Sequence, residues 1–291
     1  MLYVLINPSA GSGLASRAGK EVAQWLSQRG TACKIFYTKG AQHATELAQN
    51  AALQNAETVL VVGGDGTVCE AARGLLGTDT ALGIIPSGTG NDMARLLKVP
   101  KNPIEAVKFA LSHPPHAIDA GKVNDALFIN VCGTGFDVCV LEHSIAAKKY
   151  MRGMLPYLWG VLCALFTFRP LDVTFEVDGG EIQNKSLMIL AVANGRFLGG
   201  GINVAPSASP NDGLLDLITV DALPRYKIPF QLPKLLTGRI MKIPGAQHVL
   251  CKNVSVRKPL RLNLDGELEQ KSTSNFSVVP NALYVHYSPR A

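Results

Sequence analysis

Three short turns set glycine beside hydroxyl, amide and carboxylate side chains: Asn7-Pro8-Ser9-Ala10-Gly11-Ser12-Gly13, Gly63-Gly64-Asp65-Gly66-Thr67-Val68-Cys69-Glu70 and Ser87-Gly88-Thr89-Gly90-Asn91-Asp92. Each follows a run that reads as a strand. Glycine lets backbone approach a phosphate closely, and the N–H groups that open the next helix favour an anion. A tight strand-to-helix turn needs glycine in any case, so one such turn decides nothing, whereas three together suit a triphosphate. Familiar phosphate fingerprints are absent. Gly13 leads to Lys20 without a following Ser or Thr, and Gly64-Asp65-Gly66 lacks the third glycine of a dinucleotide turn. Asp65, between glycines at a strand end, is placed to face a ligand and is assigned to a Mg²⁺–triphosphate network, against the plainer role of closing its own turn. Asp92 sits where a helix beginning near Met93 needs a cap. Asp119, after Ala117-Ile118, is an acidic strand end, and Asp265-Gly266 before Glu267 reads by itself as a hairpin turn.

These residues need a scaffold. From residue 1 to about 118, strand-like runs at Tyr3–Ile6, Lys34–Tyr37, Val59–Val62 and Leu82–Ile85 alternate with helical stretches at 14–29, 41–55, 91–98 and 102–112. That alternation predicts a parallel sheet with ligands at the carboxyl ends of its strands. Beyond Asp119 the texture changes to strands at 126–131, 171–177, 186–193, 214–220, 254–256, 260–264, 276–279 and 283–287, a β-sandwich or barrel. The expected fold is α/β plus all-β: an N-terminal parallel-sheet α/β nucleotide domain over 1–118, then a β-sandwich over 119–291 whose last strand could return to the first domain. An insertion occupies 141–169, and 224–240 reads as helix broken by Pro229 and Pro233.

With 47% apolar and 17% charged residues, the 291-residue chain is globular and long enough for one large domain or two modest ones. The 28 Lys and Arg against 22 Asp and Glu leave a net charge of +6, which favours anionic partners. Nucleic acid is not expected, since the cluster Arg257, Lys258 and Arg261 lacks interleaved aromatics. The six cysteines form no CxxC pair, and the first residues lack a basic leader, which together fit a reducing cytoplasm.

The motifs, taken together, resemble the diacylglycerol kinase catalytic-domain family of bacterial lipid kinases and sphingosine kinases. Gly63-Gly-Asp-Gly-Thr67 and Pro86-Ser-Gly-Thr-Gly-Asn-Asp92 are similar to its two nucleotide motifs, Asn7 to Gly11 to its opening loop, and Leu262-Asn-Leu-Asp-Gly-Glu267 to its late acidic motif. The resemblance covers nearly the whole chain and implies an α/β and a β-sandwich domain with MgATP between them. It implies ATP contacts at Asn7, Pro8, Ser9, Ala10, Gly11, Thr38, Gly63, Gly64, Asp65, Gly66, Thr67, Glu70, Gly88, Thr89, Asn91 and Asp92, with Asp119 as a further acidic cleft residue. Glu267 becomes the proton acceptor, beside Asp65 in the catalytic set. Cys69 departs from the pattern, relatives often carrying Asn there. In the loop Val204 to Asp216, the resemblance implies Mg²⁺ on the backbone carbonyls of Ser209 and Leu214 and the carboxylate of Asp212; a metal-free Asn-Asp-Gly turn is the alternative.

The stretch Gly153 to Phe166 is nearly all apolar, preceded by Lys148, Lys149 and Arg152 and followed by Arg169. It is too short to span a bilayer, which needs about 20 residues. A buried helix is one reading; an interfacial helix, with Trp159 and the lysines at the head groups over about 148–169, is the other and is preferred. The expected enzyme is an ATP- and Mg²⁺-dependent kinase of a membrane lipid hydroxyl, cytoplasmic and transiently at the membrane surface, with a homodimer left open. Two alternatives stand beside it: a soluble-metabolite kinase of the NAD kinase type, which lacks an Asn-Asn-Glu motif here, and a non-catalytic lipid-binding protein, which the retained Asp65 and Glu267 disfavour.

Overall fold

Runs of five or six apolar residues, rich in Val, Ile and Leu and too short for stable helices, form the parallel strands of the first half. The computed structural model describes residues 1–151, 153 and 155–288. It divides into two units, Met1–Asp119 with Pro280–Ala291, and Ala120–Val279.

In the first unit the elements are β1 (Leu2–Ile6), α1 (Leu14–Gln28), β2 (Cys33–Tyr37), α2 (His43–Leu53), β3 (Thr58–Gly63), α3 (Asp65–Leu75), β4 (Ala81–Pro86), α4 (Asp92–Leu96), α5 (Pro103–Ser112) and most of β5 (Pro115–Val123). The sheet runs β4-β3-β1-β2 with every pair parallel, Val4 lying between Ile35 and Leu60. β1, β3 and β4 are buried along their whole length, while β2 at the edge is half-exposed. That pattern follows from helices covering both faces. α1 turns Ala15, Ala18, Val22 and Leu26 inward, the spacing of one helical stripe. The helical expectations omit α3. Its first turn, Asp-Gly-Thr-Val, is poor in helix formers, and the helix is secured by burial of Thr67, Val68, Ala71, Ala72 and Leu75.

The second unit holds β6 (Ala126–Phe128), β7 (Val131–Gly135), α6 (Phe136–Ala147), α7 (Leu155–Thr167), β8 (Leu171–Val177), β9 (Gln183–Ala193), the short pair β10 (Phe197–Leu198) and β11 (Ile202–Asn203), β12 (Leu215–Asp221), α8 (Ile228–Leu236), β13 (Ala246–Cys251), β14 (Asn253–Val256), β15 (Leu260–Leu264) and β16 (Glu267–Lys271). The final strand β17 (Ser274–His286) pairs through Ser274 to Ser277 with β14, while its Val285 lies beside Leu82 of β4 in the first unit. β9 is central, pairing antiparallel with β7, β8 and β12. Its alternating residues feed two cores, Leu190 and Val192 joining Phe175, Val254, Leu262 and Phe276, and Ile189 and Ala191 joining Phe136, Val140, Phe168 and Ile218. This is a β-sandwich with α6, α7 and α8 packed on the second core.

Four local expectations change. The strand foreseen at 126–131 is two, β6 and β7, because the N–H groups of Ile129, Asn130 and Val131 go to the Asp265 side chain instead of a ladder. The strands foreseen at 276–279 and 283–287 are one, running through exposed Pro280. α8 continues over Pro233, and Pro229 falls in its first turn, where no N–H bond is needed. β13 was not foreseen, nor were β10, β11 and β5, inside which Asp119 lies instead of at a strand end; Gln247 and His248 interrupt the apolar pattern of β13, which among the described residues pairs with β12.

Candidate functional site

At the carboxyl ends of β1, β3 and β4 the three glycine-rich turns meet. The amide of Asn7 donates from Nδ2 to Thr67 Oγ1 at 2.8 Å, tying the first turn to the second. Gly11, at φ +58°, lies so close to the third turn that a Cβ there would strike the carbonyl oxygen of Ser87. Gly64 and Gly88 lie back to back, and a Cβ on either would run into the other's Cα. Glycine is required at Gly11 and Gly88, and a Cβ at Gly64 would be tight at 3.0 Å. The Asp65 carboxylate opens α3 and accepts the N–H of Asn91 at 2.7 Å and of Asp92 at 2.5 Å. Asn91 closes its own turn, accepting from Gly88 N and donating to Gly88 O, both at 2.9 Å. Thus Asp65 ties the second turn to the third, beside the Ser87 N–H that donates to Gly63 O at 2.8 Å, and buried Asp92 is the first residue of α4, the cap position falling to Asn91 and not to Asp92 as expected. Pro8, Ser9, Gly66 and Thr89 remain exposed, and Ala10 and Gly88 are half-buried. Thr38 is buried at the end of β2, its N–H donating to Ile6 O at 2.9 Å. Glu70 points elsewhere: Oε2 accepts the N–H of Ala44 at 3.2 Å, at the start of α2. Asp119 accepts the N–H of Asn281 at 2.8 Å, so it anchors the returning chain within this unit.

In the second unit, Asp265 and Gly266 have φ of +50° and +96°, and Leu264 pairs with Glu267, which makes a two-residue hairpin. Glu267 is the first residue past the turn, half-buried. The turn is held from three sides. Asp265 accepts the N–H groups of Ile129, Asn130 and Val131 at 2.8, 3.0 and 3.0 Å, and its own N–H donates to Val131 O at 3.1 Å. Asn263 Oδ1 accepts the N–H of Gly266 at 2.9 Å, and its Nδ2 donates to Asp137 Oδ2 at 3.2 Å. Asp137 is half-buried, but its Oδ1 is sealed from solvent and has no hydrogen-bond partner; burial pushes its carboxyl up to about 6. A Cβ at Gly133 would press on that carboxylate.

Residues 1–123 match the family model of the diacylglycerol kinase catalytic domain, and residues 130–287 match that of the YegS C-terminal NAD kinase beta sandwich-like domain. A diacylglycerol kinase of Mycobacterium tuberculosis is 32% identical over 97% of this chain and 93% of its own length. The chain belongs to the diacylglycerol kinase family. A probable YegS-like lipid kinase of Chromohalobacter salexigens is 34% identical over 81% of this chain and 78% of its own. The crystal structure of a putative diacylglycerol kinase from Bacillus anthracis superposes with a TM-score of 0.82 at 25% identity, covering 100% of this chain and 98% of that one. The kinase is a phosphotransferase with an alcohol acceptor, and its family implies ATP as donor.

Among the described residues of the kinase, no cluster of three His, Cys, Asp or Glu side chains could hold a metal ion. A cation at 209–214 would therefore rest on backbone carbonyls and water, with Asp212 as its carboxylate. Asp212 Oδ1 already accepts the N–H of Leu214 at 3.0 Å, and Ser209 Oγ donates to Asn211 Oδ1 at 2.9 Å, so the loop is closed by its own side chains. The second carboxylate oxygen of Asp212 is what remains for an ion, which fits a hard, partly hydrated cation. The sequence reading placed Asn263 and Asp265 in the late acidic motif without the contacts they make around the Glu267 hairpin, and it missed Asp137. A signal existed for Asp137: a carboxylate ends the glycine-containing, uncharged run Val131 to Phe136.

The 148–169 segment carries α7, whose Pro156, Gly160 and Ala164 face inward. Leu155, Leu158, Trp159, Leu162 and Phe166 are exposed on the other side. Arg152, expected in the basic flank, lies outside the described residues. No helix among the described residues is long and apolar enough to cross a membrane.

Proposed function

We propose that the kinase is ATP- and Mg²⁺-dependent and transfers the γ-phosphoryl group to a hydroxyl of a membrane lipid, diacylglycerol or a related lipid alcohol. The observation that carries this is the meeting of three glycine turns at the carboxyl ends of parallel strands, where contacts that exclude any Cβ hold backbone amides together. Phosphoryl transfer asks for charge neutralisation and alignment more than covalent chemistry. In this reading the amides of Gly11, Gly64 to Thr67 and Thr89 hold the phosphates, while those of Ser9, Ala10 and Gly88 are spent inside their own turns, which Asn7, Gly63, Thr38, Asn91 and Asp92 help to fix. Mg²⁺, when bound, neutralises phosphate charge. Asp65 keeps a second acceptor site on each oxygen beyond the two amides it holds, available to a water of that ion. Glu267 accepts the proton of the lipid hydroxyl as its oxygen attacks the γ-phosphorus and ADP leaves. Asp119 and Glu70 support the scaffold in the arrangement described above, and Ser209, Asp212 and Leu214 hold a second Mg²⁺.

A lipid acceptor is supported by the family match and by the exposed stripe of α7, with Lys148 and Lys149 at anionic head groups in this reading. The kinase then works in the cytoplasm with transient membrane contact. The test is incubation with γ-labelled ATP, with and without Mg²⁺, and a panel of lipid alcohols in mixed micelles, with NAD as soluble acceptor. Label should appear in a lipid and only with Mg²⁺. Label in NAD and in no lipid would replace this reading with the NAD kinase type.

A further inference from the structure

We propose that residues 225–242, centred on α8, form a second membrane-docking element that seats on an anionic bilayer. The lipid-kinase reading bears on this only in that its acceptor resides in such a bilayer.

The inward side of this segment is already packed: Ile228, Leu235 and Ile240 are buried in the same core that α7 covers, with Leu232 packed against it. Its outward side is apolar as well. Tyr226, in the 3₁₀ turn Arg225–Lys227 that leads into α8, is 70% exposed and Phe230 on α8 is 75% exposed, and Leu236 and Met241 extend the patch at 47% and 43%. Large apolar side chains exposed side by side in this way mark a contact surface.

Charge selects the partner. Between Asp221 and Asp265 the chain has no acidic residue and nine basic ones, five of them in this segment: Arg225, Lys227, Lys234, Arg239 and Lys242. Aromatic tips among Lys and Arg fit the head-group level of an anionic membrane. A two-fold contact between copies would set this acid-free patch against itself, cation facing cation, which disfavours a second copy as the occupant.

Position adds to this. α7 and α8 flank the β10–β11 pair: Tyr157 of α7 lies against Gly199, and Gly238 after α8 is so close to Asn203 that a Cβ would come within 2.8 Å of its side chain. The exposed stripes of both helices are therefore carried by one core and one small hairpin in a single unit. Two shallow attachments on a rigid body reinforce each other without either one spanning the bilayer.

The test is sedimentation of the full-length kinase with phosphatidylcholine vesicles, with and without phosphatidylglycerol. Tyr226→Ser/Phe230→Ser, with α7 intact, should weaken binding to anionic vesicles about tenfold or more. Lys227→Gln/Lys242→Gln changes only exposed charges, so it should fold even if the aromatic variant does not. It should weaken binding about fivefold per charge at low salt and have no effect at high salt. Turnover on a short-chain, monomerically dissolved diacylglycerol should stay unchanged in both, and vesicle binding reads the proposal even if no lipid is phosphorylated. Undiminished binding by both variants overturns the proposal. So does a wild-type dimer that Phe230→Ser splits while vesicle binding persists.

Discussion

The turn cluster of the first unit and the hairpin of the second solve one problem, holding a strained loop still, with different materials. In each, a carboxylate gathers backbone N–H groups from a distant turn: Asp65 takes two from 26 and 27 residues away, and Asp265 takes three from 134 to 136 residues away. Around Asp65 the rest is done by absence, glycines that let Gly64 meet Gly88 and Gly11 meet Ser87. Around Asp265 the rest is done by side chains, Asn263 on the turn's N–H and Asp137 behind it. A site made of backbone amides needs bare backbone, whereas a site that presents one carboxylate needs props. The first should be broken by adding a carbon, and the second by removing an oxygen.

The sharpest division between chemistry and support is at Glu267. Glu267→Gln keeps size and hairpin position but loses the base, so turnover should fall about 10²–10⁴-fold with thermal stability and ATP affinity unchanged. Turnover within a fewfold of wild type would strip Glu267 of its role and leave the hairpin as scaffold alone. Next in size is Asp265→Ala, which leaves three N–H groups without their acceptor and should destabilise the second unit by about 3–5 kcal/mol. Hydrogen exchange on the full chain should show faster opening at 129–131 and 262–268 with β1, β3 and β4 still protected; protection lost evenly in both units would refute a local clamp. Gly88→Ala is the reciprocal experiment. Its Cβ meets the Gly64 backbone, which cannot rotate away, so it should cost about 3 kcal/mol, read as weakened ATP binding, while exchange at 262–268 stays as in wild type. Normal ATP affinity in that variant would detach the glycine contact from nucleotide binding.

The same contrast explains what could be read in the residues before any fold was known. The parallel strands and glycine turns are local features, visible as apolar runs ended by Gly-rich segments, and three turns at three strand ends already implied a common site. α3 was invisible because its opening Asp-Gly-Thr-Val turn argues against helix, and only the sheet beneath it wins that contest. Asp265 was legible as a hairpin residue and no more, since nothing near it announces that its acceptor capacity is used on Ile129 to Val131. Asn263 and Asp137 lie 126 residues apart, so their pairing belongs to the sandwich topology and not to any motif.

Asp137 supplies the smallest effect and the one that depends on pH. Three things favour its ionised form: the bond from Asn263, nearby backbone N–H groups and its place in the first turn of α6. Burial outweighs them and lifts the carboxyl to about 6, above the ~3.9 of an unfolded chain. The folded state therefore binds this proton more tightly than the unfolded state. The stabilisation that follows is complete below about pH 4, shrinks as pH rises through about 6, and is absent above it. Asp137→Asn removes the titration while keeping the shape and an oxygen for Asn263. Urea unfolding of the full-length kinase from pH 4 to pH 8 should then show the wild type gaining roughly 2 kcal/mol on the variant as pH falls, after allowance for partial exposure. If the difference is flat across that range, Asp137 is not a strained buried carboxylate, and the hairpin's side-chain support reduces to Asn263 and Asp265. A slope of the expected sign instead means that at neutral pH the fold tolerates a charge it would be more stable without, which is the cost of giving Asn263 an acceptor behind the turn that carries Glu267.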